Sequence, residues 1–167
     1  LADDVSRLQA TQDELQQKMK GEIDAGDVVV VSEGGRLRVD LVDKILFDSG
    51  DATISKRGED VLQKVGAVLA GVDDKLVQVV GHTDDSPPTA KIKDKFPSNW
   101  ELSTARATNV VRYLEEQAHV KGGRLLASRH GQFAPVATNN NPKGRARNRR
   151  IEILLVPPLV AEKVAKK

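Results

Sequence analysis

Apolar positions open the chain at alternating steps of four and three: Leu1, Val5, Leu8, Gln12 (a polar break), Leu15 and Met19. This is a helical stripe at heptad spacing. It serves either a solvated helix that packs one face on its own domain or a short coiled coil that dimerises the chain or continues a stalk. Residues 21–26 then break the pattern with two glycines and read as a linker. Two β-rich runs, 27–32 (DVVVVS) and 36–41 (RLRVDL), flank Glu33-Gly34-Gly35 and predict a hairpin. In the second run Leu37, Val39 and Leu41 alternate with Arg36, Arg38 and Asp40, so one face is buried and the other wet. Residues 45–50 (ILFDSG) form an apolar step ending in a turn, to which the pattern assigns no chemistry.

Ser55 is the predicted N-cap of a helix over 56–70, with Val61, Leu62, Val65, Val68 and Leu69 at helical spacing and Gly71 as its stop. Residues 76–80 are apolar except for Gln78, as expected of a strand covered on both faces. A polar loop with Pro87, Pro88 and Pro97 leads to a second helix, from Asn99 to about Gln117 or Ala118. Ser98 and Glu101 supply its S-x-x-E capping box. The inward stripe expected there is Leu102, Ala105, Val110, Tyr113 and Leu114. Residues 124–128 (RLLAS) predict another strand followed by a loop at 130–132. The 139–142 cluster (NNNP) opens a short helical turn through Ala146, and 151–156 (IEILLV) close the sheet before Pro157-Pro158. The tail, 159–167, is expected to fray.

Strands alternating with helices predict crossover connections and parallel neighbours. The architecture expected is an α/β sandwich: one mixed sheet with helices packed on one face, preceded by an N-terminal helix. The division expected is a helix or linker over 1–25, a folded domain over 26–157 and a tail over 158–167.

Composition narrows the field modestly. At 167 residues the chain is about one domain long, and with aromatics at 3% the aliphatic residues must build the core. The absence of cysteine excludes disulfides and thiolate metal sites. A formal net charge of +2 does not point to a partner. No apolar run reaches the roughly 18 residues a spanning helix needs, and no signal peptide is visible. Because the chain begins at Leu1 rather than Met, a preceding membrane anchor or signal is expected.

Chemistry concentrates between Gly81 and Arg106. Asp84 sits just past a strand end, and Arg106 sits two turns into the next helix. If the loop between them folds back, a carboxylate and a guanidinium face each other across a cleft, a pairing that suits a ligand with an ammonium and a carboxylate on one carbon. The alternative is that the two simply form an ion pair with each other. His82, near Ser86, is no serine-hydrolase centre, since the sequence has no G-x-S-x-G elbow. The three histidines, His82, His119 and His130, show no ligand-like spacing, so neither a metal nor a cofactor is expected. Lys143, Arg145, Arg147, Arg149 and Arg150 form a basic cluster that a nucleic-acid-binding module could use, but no aromatic residues are interleaved with it. A purely structural dimerisation module is the other alternative, resting on the N-terminal stripe.

The segments GHTD, NWELSTARA and NPKGRARNRRIEI, in that order, resemble the OmpA-like (OmpA/Pal/MotB) peptidoglycan-binding domain, and LFDSG is similar to a further family segment. The likeness covers roughly residues 40–156, and the SPPTAKIKDKFPSNWELS version is most similar to the MotB subgroup. The resemblance implies a non-catalytic module that grips the diaminopimelate of peptidoglycan stems. Asp84 would take the ammonium and Arg106 the carboxylate, with Asn99, Thr83 and Arg149 as further contacts. It also implies a place in the periplasm or cell envelope of a Gram-negative-type bacterium, membrane attachment in the full-length protein, a homodimer through the N-terminal helix or domain contacts, and no nucleic acid.

Overall fold

The computed structural model describes residues 2–158; Leu1 of the N-terminal stripe and the tail over 159–167 lie outside the described residues. Helix α1 (Ala2–Lys18) continues almost directly into α2 (Lys20–Asp24), so Gly21 lies inside a helix. The expected linker shrinks to the turn at Gly26, whose φ is 78°. The hairpin follows as β1 (Val28–Glu33) and β2 (Arg36–Val42), paired from Val28↔Leu41 to Glu33↔Arg36. Its two-residue turn, Gly34-Gly35, has φ of 58° and 74°, the left-handed pair that matches strand twist and that glycine adopts without strain.

One helical turn, α3 (Asp43–Leu46), leads to α4 (Lys56–Ala70), whose N-cap Ser55 accepts a hydrogen bond from the Gly58 amide at 3.0 Å. Gly71 does follow α4, but at φ −79°, so the stop does not use a left-handed glycine. The Gly71 and Val72 amides turn back on the Val68 and Leu69 carbonyls, and the buried Arg124 adds donors to the Leu69 carbonyl and to those of Val72 and Lys75 in the segment that follows. Arg124 closes a 3-10 turn (Gly122–Arg124) rather than opening a strand. Then come β3 (Leu76–His82), α5 (Ala90–Lys93), α6 (Asn99–Glu116), β4 (Leu125–Gly131), α7 (Pro142–Asn148) and β5 (Arg150–Val156). Strand β4 thus takes in His130 and Gly131, which the sequence places in a loop. It is an edge strand with little burial, so its apolar signal is weak.

The sheet order is β1-β2-β5-β3-β4. Only β3 and β4 are parallel; β5 runs antiparallel to both β2 and β3. The expected parallel crossover therefore exists once, around α6, while the short α7 returns the chain in the opposite direction. Helices α1, α4 and α6 share one side of the sheet, where Leu37, Val39, Leu41, Val77, Val79, Ile151, Ile153 and Leu155 meet them. The core is aliphatic, with Phe47 the aromatic member of its main cluster.

Two expectations change here. Leu8, Leu15 and Met19 belong to this same core, with Leu15 and Met19 completely buried. The Leu8–Leu15–Met19 part of the stripe therefore packs on its own domain and is not free as a coiled-coil seam, whereas Val5 stays 64% exposed. On α6 the buried set is Asn99, Leu102, Ser103, Arg106, Ala107, Val110 and Leu114, while Ala105 and Tyr113 are only partly buried. Polar residues hold inward positions at the start of this helix because that end faces a cleft.

Candidate functional site

The contact between β3 and α6 sets the site. A Cβ at Gly81 would lie 2.3 Å from the Ser103 carbonyl oxygen, so strand and helix touch backbone to backbone. Asp84 lies three residues beyond Gly81, and Arg106 three beyond Ser103. The capping box forms as predicted: the Ser98 side chain accepts from the Trp100 amide at 3.2 Å, and the Ser98 amide donates to Glu101 Oε2 at 2.8 Å.

Past β3, the Thr83 amide donates to the Gly131 carbonyl at 2.8 Å and its Oγ1 to the Asp84 carbonyl at 2.9 Å. Asp84 Oδ1 accepts from the Ser86 amide at 2.9 Å, and its Oδ2 accepts from Arg149 Nη1 at 2.6 Å. Asn99 Nδ2 donates to the carbonyls of Asp84 (3.2 Å) and Ser86 (3.0 Å) and to Gln132 Oε1 (3.3 Å). It fixes the loop that carries Asp84 and does not cap its own helix.

Arg106 is buried, its side chain 4% exposed. Its Nε donates to the Asp51 carbonyl at 2.9 Å, its Nη1 to Asp43 Oδ2 at 3.1 Å, and its guanidinium carbon lies 4.8 Å from the Phe47 ring centroid. Burial pushes its pKa below the usual arginine value while Asp43 pulls it back, and an arginine so placed keeps its charge. Nη2 makes no hydrogen bond to the described residues. Arg149 Nε lies 3.7 Å from the same Asp43 oxygen. The result is an alternating series, Arg106–Asp43–Arg149–Asp84. No ion pair joins Asp84 to Arg106 among the described residues, so the simple pairing of the two does not occur.

Thr83, Asp84, Asn99, Arg106 and Arg149, the five residues singled out in the sequence, all line one cleft of about 440 Å³. Its outer wall is built from Pro87, Pro88 and Ile92 of the loop after Asp84. Its other side comes from Asp43, Phe47, Asp48, Ser49 and Gly50. That second group escaped the sequence reading, which assigned ILFDSG no chemistry. The similarity of LFDSG to a family segment was the available signal; Asp43 had none.

The basic cluster does not form one patch. Lys143 and Arg147 are exposed, Arg149 turns into the cleft, and Arg150 is buried. Arg150 donates to the Ala134 carbonyl at 3.1 Å and lies 3.7 Å from Glu152. His82 is also buried, on the sheet face opposite the helices, with Nε2 3.5 Å from Glu152 Oε2, a contact that does not complete a hydrogen bond. Among the described residues no group of His, Asp or Glu could hold a metal ion, and no helix is long and apolar enough to cross a membrane.

Residues 46–149 match the model of the OmpA family. Motility protein B of Bacillus subtilis is 37% identical over 134 residues, 80% of this chain and 49% of that protein. The chain spans about half the length of the first curated relatives it matches. Among solved structures, a MotB-like protein from Desulfovibrio vulgaris superposes with a TM-score of 0.83 at 26% identity, covering 94% of this chain and 95% of that one. The cell wall anchor of the T6SS from Pseudomonas aeruginosa gives 0.76 at 33% identity, covering 86% and 97%.

Proposed function

The chain belongs to the OmpA family, and from that premise we propose that it holds an envelope complex to the cell wall by gripping peptidoglycan stems without chemical change. The ligand group is the free zwitterionic end of diaminopimelate. Its ammonium docks on Asp84 Oδ2, taking the place of Arg149 Nη1 or sharing the oxygen with it. Its carboxylate meets the Nη1–Nη2 end of Arg106, which is held in register by Asp43 and the Asp51 carbonyl. A planar fork of N–H donors matches a carboxylate better than an ammonium would. Asn99 and Thr83 act through the loop, and Arg149 carries the second positive charge at the mouth. The observation that carries this reading is that Asp84 and Arg106 line one cleft without pairing with each other.

Two relatives support the anchoring role: the Pseudomonas neighbour is a cell wall anchor, and the Bacillus relative is a motility protein. The finer reading is a MotB-like tether for an ion-driven motor, placed on the periplasmic side and attached to a membrane in the full-length protein.

The test is co-sedimentation with purified diaminopimelate-type peptidoglycan. Wild type pellets, whereas Asp84→Asn and Arg106→Lys remain largely in the supernatant with unchanged circular dichroism. Free meso-diaminopimelate releases the bound wild type. Equal pelleting of all three proteins would refute the cleft assignment.

A further inference from the structure

Of the five aromatic residues in the chain, the two most exposed lie against each other. Trp100 is 43% and Phe133 67% exposed, with ring centroids 5.4 Å apart and planes inclined by 32°. Arg129 places its guanidinium carbon 5.2 Å from the Trp100 ring centroid. In so aromatic-poor a chain the other rings go elsewhere: Phe47 and Phe96 are buried, and Tyr113 is partly covered. An exposed aromatic pair beside a cleft is the kind of apolar patch that marks an interaction site.

The pair is tied to the cleft through the backbone. A Cβ added at Gly131 would stand 3.5 Å from the Trp100 ring, and the Gly131 carbonyl accepts the Thr83 amide that precedes Asp84. Gln132, between Gly131 and Phe133, accepts from Asn99 through Oε1, and its Nε2 donates to none of the described residues. The rim thus combines two rings, a free amide donor and a guanidinium. Glu101 lies close enough to Arg129 to feel its charge, so the rim has one charge of each sign.

We propose that Trp100 and Phe133 form a saccharide platform that stacks against a pyranose ring of the glycan strand, while the neighbouring cleft holds the stem. A pyranose offers C–H groups on its faces and hydroxyls at its edge. Aromatic faces attract the former, and Gln132 and Arg129 bond the latter. The charge-balanced rim suits a neutral sugar better than a phosphate backbone, which demands a cationic track. The occupant follows from the wall-binding reading of the cleft, on which this inference rests for the identity of the polymer.

The single tryptophan makes the test direct, because all indole emission comes from position 100. The probes are β-1,4-linked N-acetylglucosamine tetramer, which carries no peptide, a diaminopimelate-containing stem tripeptide, and anionic phospholipid vesicles. The tetramer should shift the Trp100 emission saturably. Phe133→Ala, at a residue too exposed to threaten folding, should weaken that response about tenfold, the scale of one lost aromatic contact. Asp84→Asn should leave the tetramer response intact while abolishing tripeptide binding. If Asp84→Asn still binds tripeptide while Phe133→Ala loses the tetramer, the cleft reading fails and the platform stands. A tetramer that leaves the emission unchanged, a Phe133→Ala protein that responds as wild type does, or a response to vesicles alone would overturn the platform.

Discussion

Replacing Gly81 by alanine tests whether backbone contact between β3 and α6 sets the spacing of the cleft walls. The added methyl would stand 2.3 Å from the Ser103 carbonyl oxygen and 3.2 Å from its Cα. Ordinary contact requires about 3.4 Å or more, so helix and strand must separate by roughly 1 Å, since neither backbone can rotate aside as a side chain could. Overpacking of this kind costs about 1–3 kcal/mol. In a domain of this size that lowers the melting temperature by roughly 2–4 °C per kcal/mol. Asp84 and Arg106 each lie three residues from the contact and move apart with the two elements. The ligand end would have to bridge a gap widened by about 1 Å, a displacement that weakens well-oriented contacts severely. The assays are thermal unfolding by circular dichroism and co-sedimentation with peptidoglycan, both below the new melting temperature. The expected outcome is a folded, less stable protein that no longer pellets. A Gly81→Ala protein with wild-type stability and wild-type wall binding would refute the argument, because the helix would then not be seated on the strand as described.

Two further predictions concern the rest of the fold. Leu15→Ala removes a fully buried side chain from the core and should cost about 2–5 kcal/mol in urea unfolding, with no change in oligomeric state by analytical ultracentrifugation; loss of a dimer at unchanged stability would return the stripe to a coiled-coil role. Burial pushes His82 below its ordinary value of 6.5, with Arg150 and His130 acting in the same sense and Glu152 against them. The folded state thus keeps the imidazole neutral while the unfolded chain takes up a proton. Stability is full above about pH 6.5 and falls on acidification toward the lowered folded value, by at most about 1.4 kcal/mol per pH unit for one proton. Glu152, held below its ordinary 4.5 chiefly by His82, extends the decline at lower pH, while Asp40, raised by burial, opposes it. Urea titrations at several pH values should show this slope, and His82→Gln should flatten it just below about pH 6.5; an unchanged slope would show that His82 does not carry it.

Asp84, Arg106 and the start of α6 were legible because their signals are local: a strand end, a capping box and two motif residues. Asp43 was not, because its bond to Arg106 spans 63 residues and leaves no trace in spacing. The N-terminal stripe was misleading for a different reason. Heptad spacing marks an amphipathic helix but not what covers it, and here α4 and the hairpin do. Arg124 looked like the first residue of a strand, yet it reaches the last turn of α4 from 55 residues away by donating to the Leu69 carbonyl. Gly81 could be read as part of a motif, but its reason, the Ser103 backbone, became visible only once strand and helix were placed together.

The alternating series of two arginines and two aspartates around the cleft has a consequence for where such an anchor can work. Before anything binds, each charge already has a counter-charge within about 4 Å, so the site projects little field into the medium. A zwitterion is likewise neutral as a whole. In the proposed binding mode, docking is an exchange of partners with almost no change in net charge, and such an exchange releases few counterions and responds weakly to ionic strength. A tether built this way keeps its hold through swings in external salt that would loosen one relying on bulk attraction between a cationic patch and an anionic wall.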